Sequence, residues 1–298
     1  MPFDARRLTA SGTPTPVLQD INSSAVAGGD FAFAQNGTFV YLARKDRWPI
    51  SWLDRGGKSQ PLYGPPGIYA DPRFSPDGKR LAFSIAAGHE LQDIWVKDLD
   101  RDTPSRLSFL PGENVFAVWT PDGKNIVFKS TNQAAPGLYW IRSDGSGEAQ
   151  RLTDGKLDEL PYSFSSDGKR LAFSATGMGG IQHDIFTSTV EGGTAQGSSG
   201  IRLGKPELFL GTLAGEFFPA FSPDGRWLAY ESNEGGSLQV YVRPFPGPGG
   251  RWLIGLGMFP LWSRDGHDLL FETEDGRVMA VSYTAHGDSF APGNPREW

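Results

Sequence analysis

The chain has 298 residues, with 28 Lys and Arg against 34 Asp and Glu, for a formal net charge of −6 at pH 7. Without a clustered basic run it is a poor fit to nucleic acid, and no run of about 18 apolar residues is available to span a bilayer. There is no cysteine, which excludes disulfides, thiol catalysis and cysteine-ligated zinc.

The opening residues, MPFDARRLTASG, lack the apolar centre of a secretory signal. The first 20 residues match the last 20 in character: Phe3 corresponds to Tyr283, and Gly12-Thr13-Pro14 echoes Gly293-Asn294-Pro295. Residues 1–30 are therefore expected to supply a strand that pairs with the C-terminal strands, because an open seam would leave strand edges unpaired.

Six copies of one phrase follow, each an apolar run, a tight turn and a second apolar run. They are FAFAQNGTFVYLA (31–43), PRFSPDGKRLAFS (72–84), FAVWTPDGKNIVFKS (116–130), PYSFSSDGKRLAFS (161–174), PAFSPDGRWLAYES (219–232) and PLWSRDGHDLLFET (260–273). The turn residues Asn36, Asp77, Asp122, Asp167, Asp224 and Asp265 are separated by 41, 45, 45, 57 and 41 residues. In Ser75-Pro76-Asp77-Gly78 the proline presets φ, the aspartate bonds nearby backbone and the glycine accepts a left-handed conformation, which together make a hairpin.

A third strand follows each hairpin: WPISWLD (48–54), DIWVKDL (93–99), GLYWIRS (137–143), DIFTSTV (184–190), LQVYVRPF (238–245) and RVMAVSY (277–283). A short outer strand comes next, in SRLSFL (105–110), QRLTDG (150–155), PELFLG (206–211) and RWLIGLG (251–257). The long step is assigned to a projecting loop, EGGTAQGSSG (191–200). Four strands per repeat, at this period, predict an all-β, six-bladed β-propeller of antiparallel blades. The single domain 1–298 then divides into the closing strand 1–30 and blades 31–66, 67–111, 112–156, 157–213, 214–256 and 257–298.

The five turn aspartates lie at equivalent hairpins around a rim, and their turn-forming role accounts for them. Eight positions before the turn stand Tyr69, Asn114, Glu159 and Glu216, with Glu113 beside Asn114. These are expected to converge at one mouth of the central channel as a ligand-binding rim. Glu113, Glu159 and Glu216 could there hold Ca²⁺ or another divalent cation. His89 and His183 fall on the same predicted face, so that His183, His89 and Glu159 are the candidates for general acid–base catalysis.

FSPDGKRLAFS and FSPDGRWLAYESNE resemble the repeat of TolB-like (WD40-like) propellers, across essentially the whole chain. More specifically, WLDRGGKSQPL (52–62), residues 221–252 and GRVMAVSY…FAPGNP (276–295) resemble the propeller that follows the kinase domain and membrane helix of certain bacterial serine/threonine protein kinases. The chain has no kinase glycine-rich loop, His-Arg-Asp or Asp-Phe-Gly, and no Gly-x-Ser-x-Gly elbow of the hydrolases that carry similar repeats. The resemblance implies a non-catalytic module, monomeric, that binds a protein, peptide or small ligand. The alternative is an esterase- or lactonase-like propeller hydrolase. As a piece of a membrane-anchored parent the region would be extracytoplasmic; as a chain by itself, cytoplasmic.

Overall fold

A computed structural model describes residues 58–298 except 87–90, 102, 177–181 and 193–199, and before residue 58 only short strand segments between positions 3 and 53. The described residues form antiparallel strands, and no helix among them is long and apolar enough to cross a membrane.

Five sheets follow one another along the chain. The first runs Tyr69–Phe74, Arg80–Ile85, Asp93–Asp98 and Ser105–Arg106, and the second Asn114–Trp119, Asn125–Ser130, Gly137–Arg142 and Gln150–Arg151. The third runs Glu159–Phe164, Arg170–Thr176, His183–Gly192 and Glu207–Leu210. The fourth runs Glu216–Phe221, Trp227–Ser232, Gln239–Pro244 and Trp252–Leu256, and the fifth Met258–Trp262, Asp268–Glu272, Val278–His286 and Arg296–Glu297. Each strand pairs with the next along this path, so each sheet is a meander whose first strand we call innermost.

The turns work as their residues dictate. In all five, Ser75, Thr120, Ser165, Ser222 or Ser263 donates its hydroxyl to the turn aspartate at 2.6 Å. The same carboxylate oxygen accepts the backbone N–H two residues on, at 3.1 Å for Lys79 and 3.0 Å for Lys124 and Lys169. Gly78 takes φ 74°, a conformation that glycine adopts without steric cost. The serine hydroxyl holds the Asp77 carboxyl below its ordinary range.

The core lies between the sheets. Ala82, Ile94 and Val96 of the first sheet pack on Ile126, Phe128 and Tyr139 of the second. Val127, from the opposite face of that strand, packs on Leu171 and Phe173 of the third. Further clusters join the third sheet to the fourth and the fourth to the fifth. Because each inner sheet is covered on both faces, its second strand reads as a nearly continuous apolar run such as NIVF or RLAF.

Polar bonds stitch the same seams. Trp119 Nε1 donates to the Arg73 carbonyl and Trp262 Nε1 to the Ala220 carbonyl, each at 2.9 Å and each from the equivalent position of its repeat. Arg80 reaches the Gly123 carbonyl at 2.8 Å and Ser143 Oγ at 3.0 Å. From the fifth sheet, Arg264 returns to the first, donating to the Ser75 carbonyl at 2.7 Å and the Pro76 carbonyl at 3.2 Å. The sheets therefore curve about an axis and do not run in a line.

Two expectations change at the ends of the sheets. The Gly-rich segment placed in a projecting loop is partly strand: Val190–Gly192 pairs with Ile201–Leu203, prolonging the third strand into a hairpin, while 193–199 lie outside the described residues. The outer place of the fifth sheet, assigned to the N-terminal strand, is held by Arg296–Glu297 against Met279 and Ala280. Gly287, at φ 56°, turns the chain so that Ser289–Pro292 folds back on Tyr283–His286 and brings the terminus to that edge. Phe3–Asp4 pairs with Thr9–Ala10.

Candidate functional site

Four of the five innermost strands break their ladder at the same place, six residues before the turn aspartate. Asp71, Phe116, Phe218 and Phe259 have φ of 51°, 59°, 53° and 57°, and each begins a two-residue bulge. A left-handed non-glycine residue costs on the order of 1–3 kcal/mol and persists only where its surroundings enforce it. Asp71, Phe218 and Phe259 each precede a proline, which removes a ladder donor at that point. The third sheet has Pro161 at this spacing, whose ring forbids positive φ; the register slips one residue later, and Tyr162 takes the unpaired place.

The bulges bring aromatic rings from four sheets into one arc. Phe116 lies 5.9 Å from Tyr162 between ring centroids, and Tyr162 lies 4.6 Å from Phe218, which lies 4.6 Å from Phe259. The arc borders a cavity of about 660 Å³ that opens among the turns. Its walls include Tyr162, Phe218, Phe259, Ser166, Arg73 and Arg264, and no carboxylate among the described residues. The first, third, fourth and fifth sheets all contribute, so this cavity lies on the axis they surround.

The polar groups here are poorly hydrated. Burial draws the Arg73 guanidinium down, against the pull of Asp71 and Tyr162. Burial likewise raises the Asp71 carboxyl, opposed by Arg73 and by the Phe116 N–H that it accepts. The Tyr162 hydroxyl is pushed well above its ordinary range by burial, with smaller pushes from Asp71 and Glu231. Glu231, 4% exposed, accepts the backbone N–H of the strained Phe259 at 2.9 Å, and burial pushes its carboxyl up to about 7.

Residues 52–208 match the sequence model of the TolB beta propeller domain. The chain belongs to that family. Among curated relatives of this TolB-like propeller, Atu1656 of Agrobacterium fabrum is 25% identical, covering 75% of this chain and 76% of its own length. The uncharacterized peptidase YuxL of Bacillus subtilis is 28% identical over 55% of this chain, which spans only 29% of that relative's length. In structure the propeller is similar to TolB from Acinetobacter baumannii (TM-score 0.61, 19% identity, 83% of this chain and 60% of that one). It is also similar to a gluconolactonase from Xanthomonas campestris (TM-score 0.59, 17% identity, 86% and 82%). At such identities the likeness is one of fold.

The residues expected to form a rim hold a different place in the TolB-like propeller. Tyr69, Asn114, Glu159 and Glu216 do open the four innermost strands, in register with one another. Asn114, Glu159 and Glu216 are 0, 4 and 1% exposed, however, and they face the seams between sheets. Asn114 Nδ2 donates to Asp93 Oδ1 at 3.1 Å and to the Leu110 carbonyl at 3.0 Å. Asp93, on the neighbouring sheet, also meets Arg106 at 2.6 Å and the Ser108 hydroxyl. Glu159 accepts the Thr153 hydroxyl and Glu216 that of Thr212, while burial raises both carboxyls. The Tyr69 ring packs on Tyr63 and Phe83.

His183 starts its strand with its ring 4.8 Å from Phe217, and burial lowers its pKa. It does not line the axial cavity. His89 lies outside the described residues, and half-buried Glu113 donates its backbone N–H to Thr131 Oγ1. The ligand set expected for a hard cation is not assembled: among the described residues no three His, Asp or Glu side chains are grouped to hold a metal. The arc itself left a signal that the sequence reading passed over, namely an aromatic or aspartate recurring six (once five) positions before each turn, usually ahead of proline.

Proposed function

We propose that this TolB-like propeller is a binding module whose ligand, a protein segment, peptide or small molecule, sits in the axial cavity on the turn side. The observation that carries this reading is the arc Phe116, Tyr162, Phe218 and Phe259, of which the last three line a cavity of ligand size. Strain at equivalent strand positions turns Phe116, Phe218 and Phe259 out of the regular ladder and into this arc. The hydrolase reading is the weaker one, since its histidine stands apart from this cavity.

The ring completes to six blades with residues 31–66, within which Phe31–Phe33 pairs with Phe39–Tyr41. The resemblance of residues 221–252 and 276–295 to kinase-attached propellers supports a sensing role within a larger protein. Ligand-observed NMR with a fragment library tests the site. Hits should compete with one another and vanish in the double variant Phe218→Ala, Phe259→Ala while its melting remains cooperative. Hits that persist in that variant would refute the axial site.

A further inference from the structure

The axial cavity is electrostatically unlike the rest of the molecule. The chain carries six more acidic than basic residues, yet among the described residues the cavity wall has two arginines and no acid. Arg264 spends its guanidinium on the Ser75 and Pro76 carbonyls. Arg73 is half-buried and, among the described residues, donates only to the carbonyl of its own neighbour, Pro72, at 3.2 Å. An arginine offers five N–H donors in a fork matched to a carboxylate, and Arg73 lines the cavity with most of this capacity unspent among the described residues. Among the described residues no carboxylate stands within ion-pair distance of that fork. Asp71 acts on it at longer range, and its own oxygen is engaged by the Phe116 N–H.

We infer, building on the axial-site reading above, that the ligand presents a carboxylate to Arg73 and an apolar or aromatic body to Tyr162, Phe218 and Phe259. A desolvated guanidinium with an open fork gains most from a partner that restores both charge and paired hydrogen bonds. The ring faces beside it exclude water and accept flat apolar groups. Ser166, at the cavity wall, supplies a neutral donor for a second ligand oxygen.

Matched acid and amide pairs test this directly: benzoate with benzamide, phenylacetate with phenylacetamide, and hippurate with hippuramide. Each is titrated by saturation-transfer NMR against the wild type and against Arg73→Met, Arg73→Lys and Phe218→Ala. The expected result is at least about tenfold tighter binding of the acid in the wild type. That preference should disappear in Arg73→Met, which keeps the aliphatic stem, and return in part in Arg73→Lys, while amide affinity stays constant across these two variants. Acids and amides binding alike, with both lost in Phe218→Ala, would overturn the carboxylate inference and leave the axial site standing. Failure of every pair to bind would overturn both.

Discussion

Two sets of side chains stand two or three residues apart on the innermost strands, and they behave in opposite ways. The first, Asn114, Glu159 and Glu216, is polar, fully buried and bonded within the seams. The second, Phe116, Tyr162, Phe218 and Phe259, is aromatic, strained at its three phenylalanines, and brings Tyr162, Phe218 and Phe259 to a cavity. A buried polar group that is hydrogen-bonded acts as mortar between sheets, because removing its partner exposes the cost of its desolvation; here Asn114 Oδ1 and Glu216 Oε2 still lack partners among the described residues. Aromatic groups held in an unfavourable backbone conformation gain nothing comparable for the fold. Polarity is thus a poor guide to function here, and strain is the better one.

The largest expected effects come from the seams. Asp93→Ala should cost about 3 kcal/mol, since it strands Arg106, Ser108 and Asn114 together. Phe128→Ala, from the fully buried seam between the first two sheets, should cost about 3–5 kcal/mol. Urea or thermal denaturation measures both. If Asp93→Ala proves neutral, the polar set is not structural mortar.

Glu231 links the two sets, because it belongs to a seam yet supports a strained bulge. Its carboxyl binds a proton more tightly in the folded chain than in the unfolded one. Its contribution is therefore most favourable below the ordinary glutamate range, and stability is lost as pH climbs toward about 7. Glu231→Gln keeps an acceptor for Phe259 N–H, and it should exceed the wild type at pH 8 by up to about 3 kcal/mol and converge with it near pH 4. Parallel denaturation curves at both pH values check this; a constant difference between the two proteins would rule out the titration.

The smallest expected change in stability belongs to the arc. Phe259→Gly removes a ring that is 44% exposed and relieves a left-handed residue, so stability should stay within about 1 kcal/mol of wild type. Loss of fragment binding at that small cost would sharpen the contrast. A cost matching that of Phe128→Ala would erase it.

The hairpins and third strands were legible because Ser-Pro-Asp-Gly specifies a turn locally and the flanking runs specify two-faced burial. Likeness to a TolB-like propeller followed from the same residues. The outer place of the fifth sheet was not legible, since two residues at the chain end, Arg296 and Glu297, carry no strand signal. Counting back from the turns found register-equivalent residues correctly but not their direction. A β-bulge two positions further on reorients the chain, and nothing in the side chain of Phe116 announces a positive φ. Glu231 was hidden likewise, because a glutamate near the end of WLAYES reads as solvent-facing until its cross-seam partner Phe259 is known.

The clasp of Arg264 on Ser75 and Pro76 joins points 189 and 188 residues apart in the chain. During vectorial synthesis each sheet can dock on its predecessor as it emerges, since those contacts are between neighbours. The clasp must wait until nearly the whole polypeptide has left the ribosome, and it forms against the entropy of closing a loop of 189 residues. Truncation after the fourth sheet would therefore leave a stacked but unlatched arc, with the axial cavity deprived of one wall.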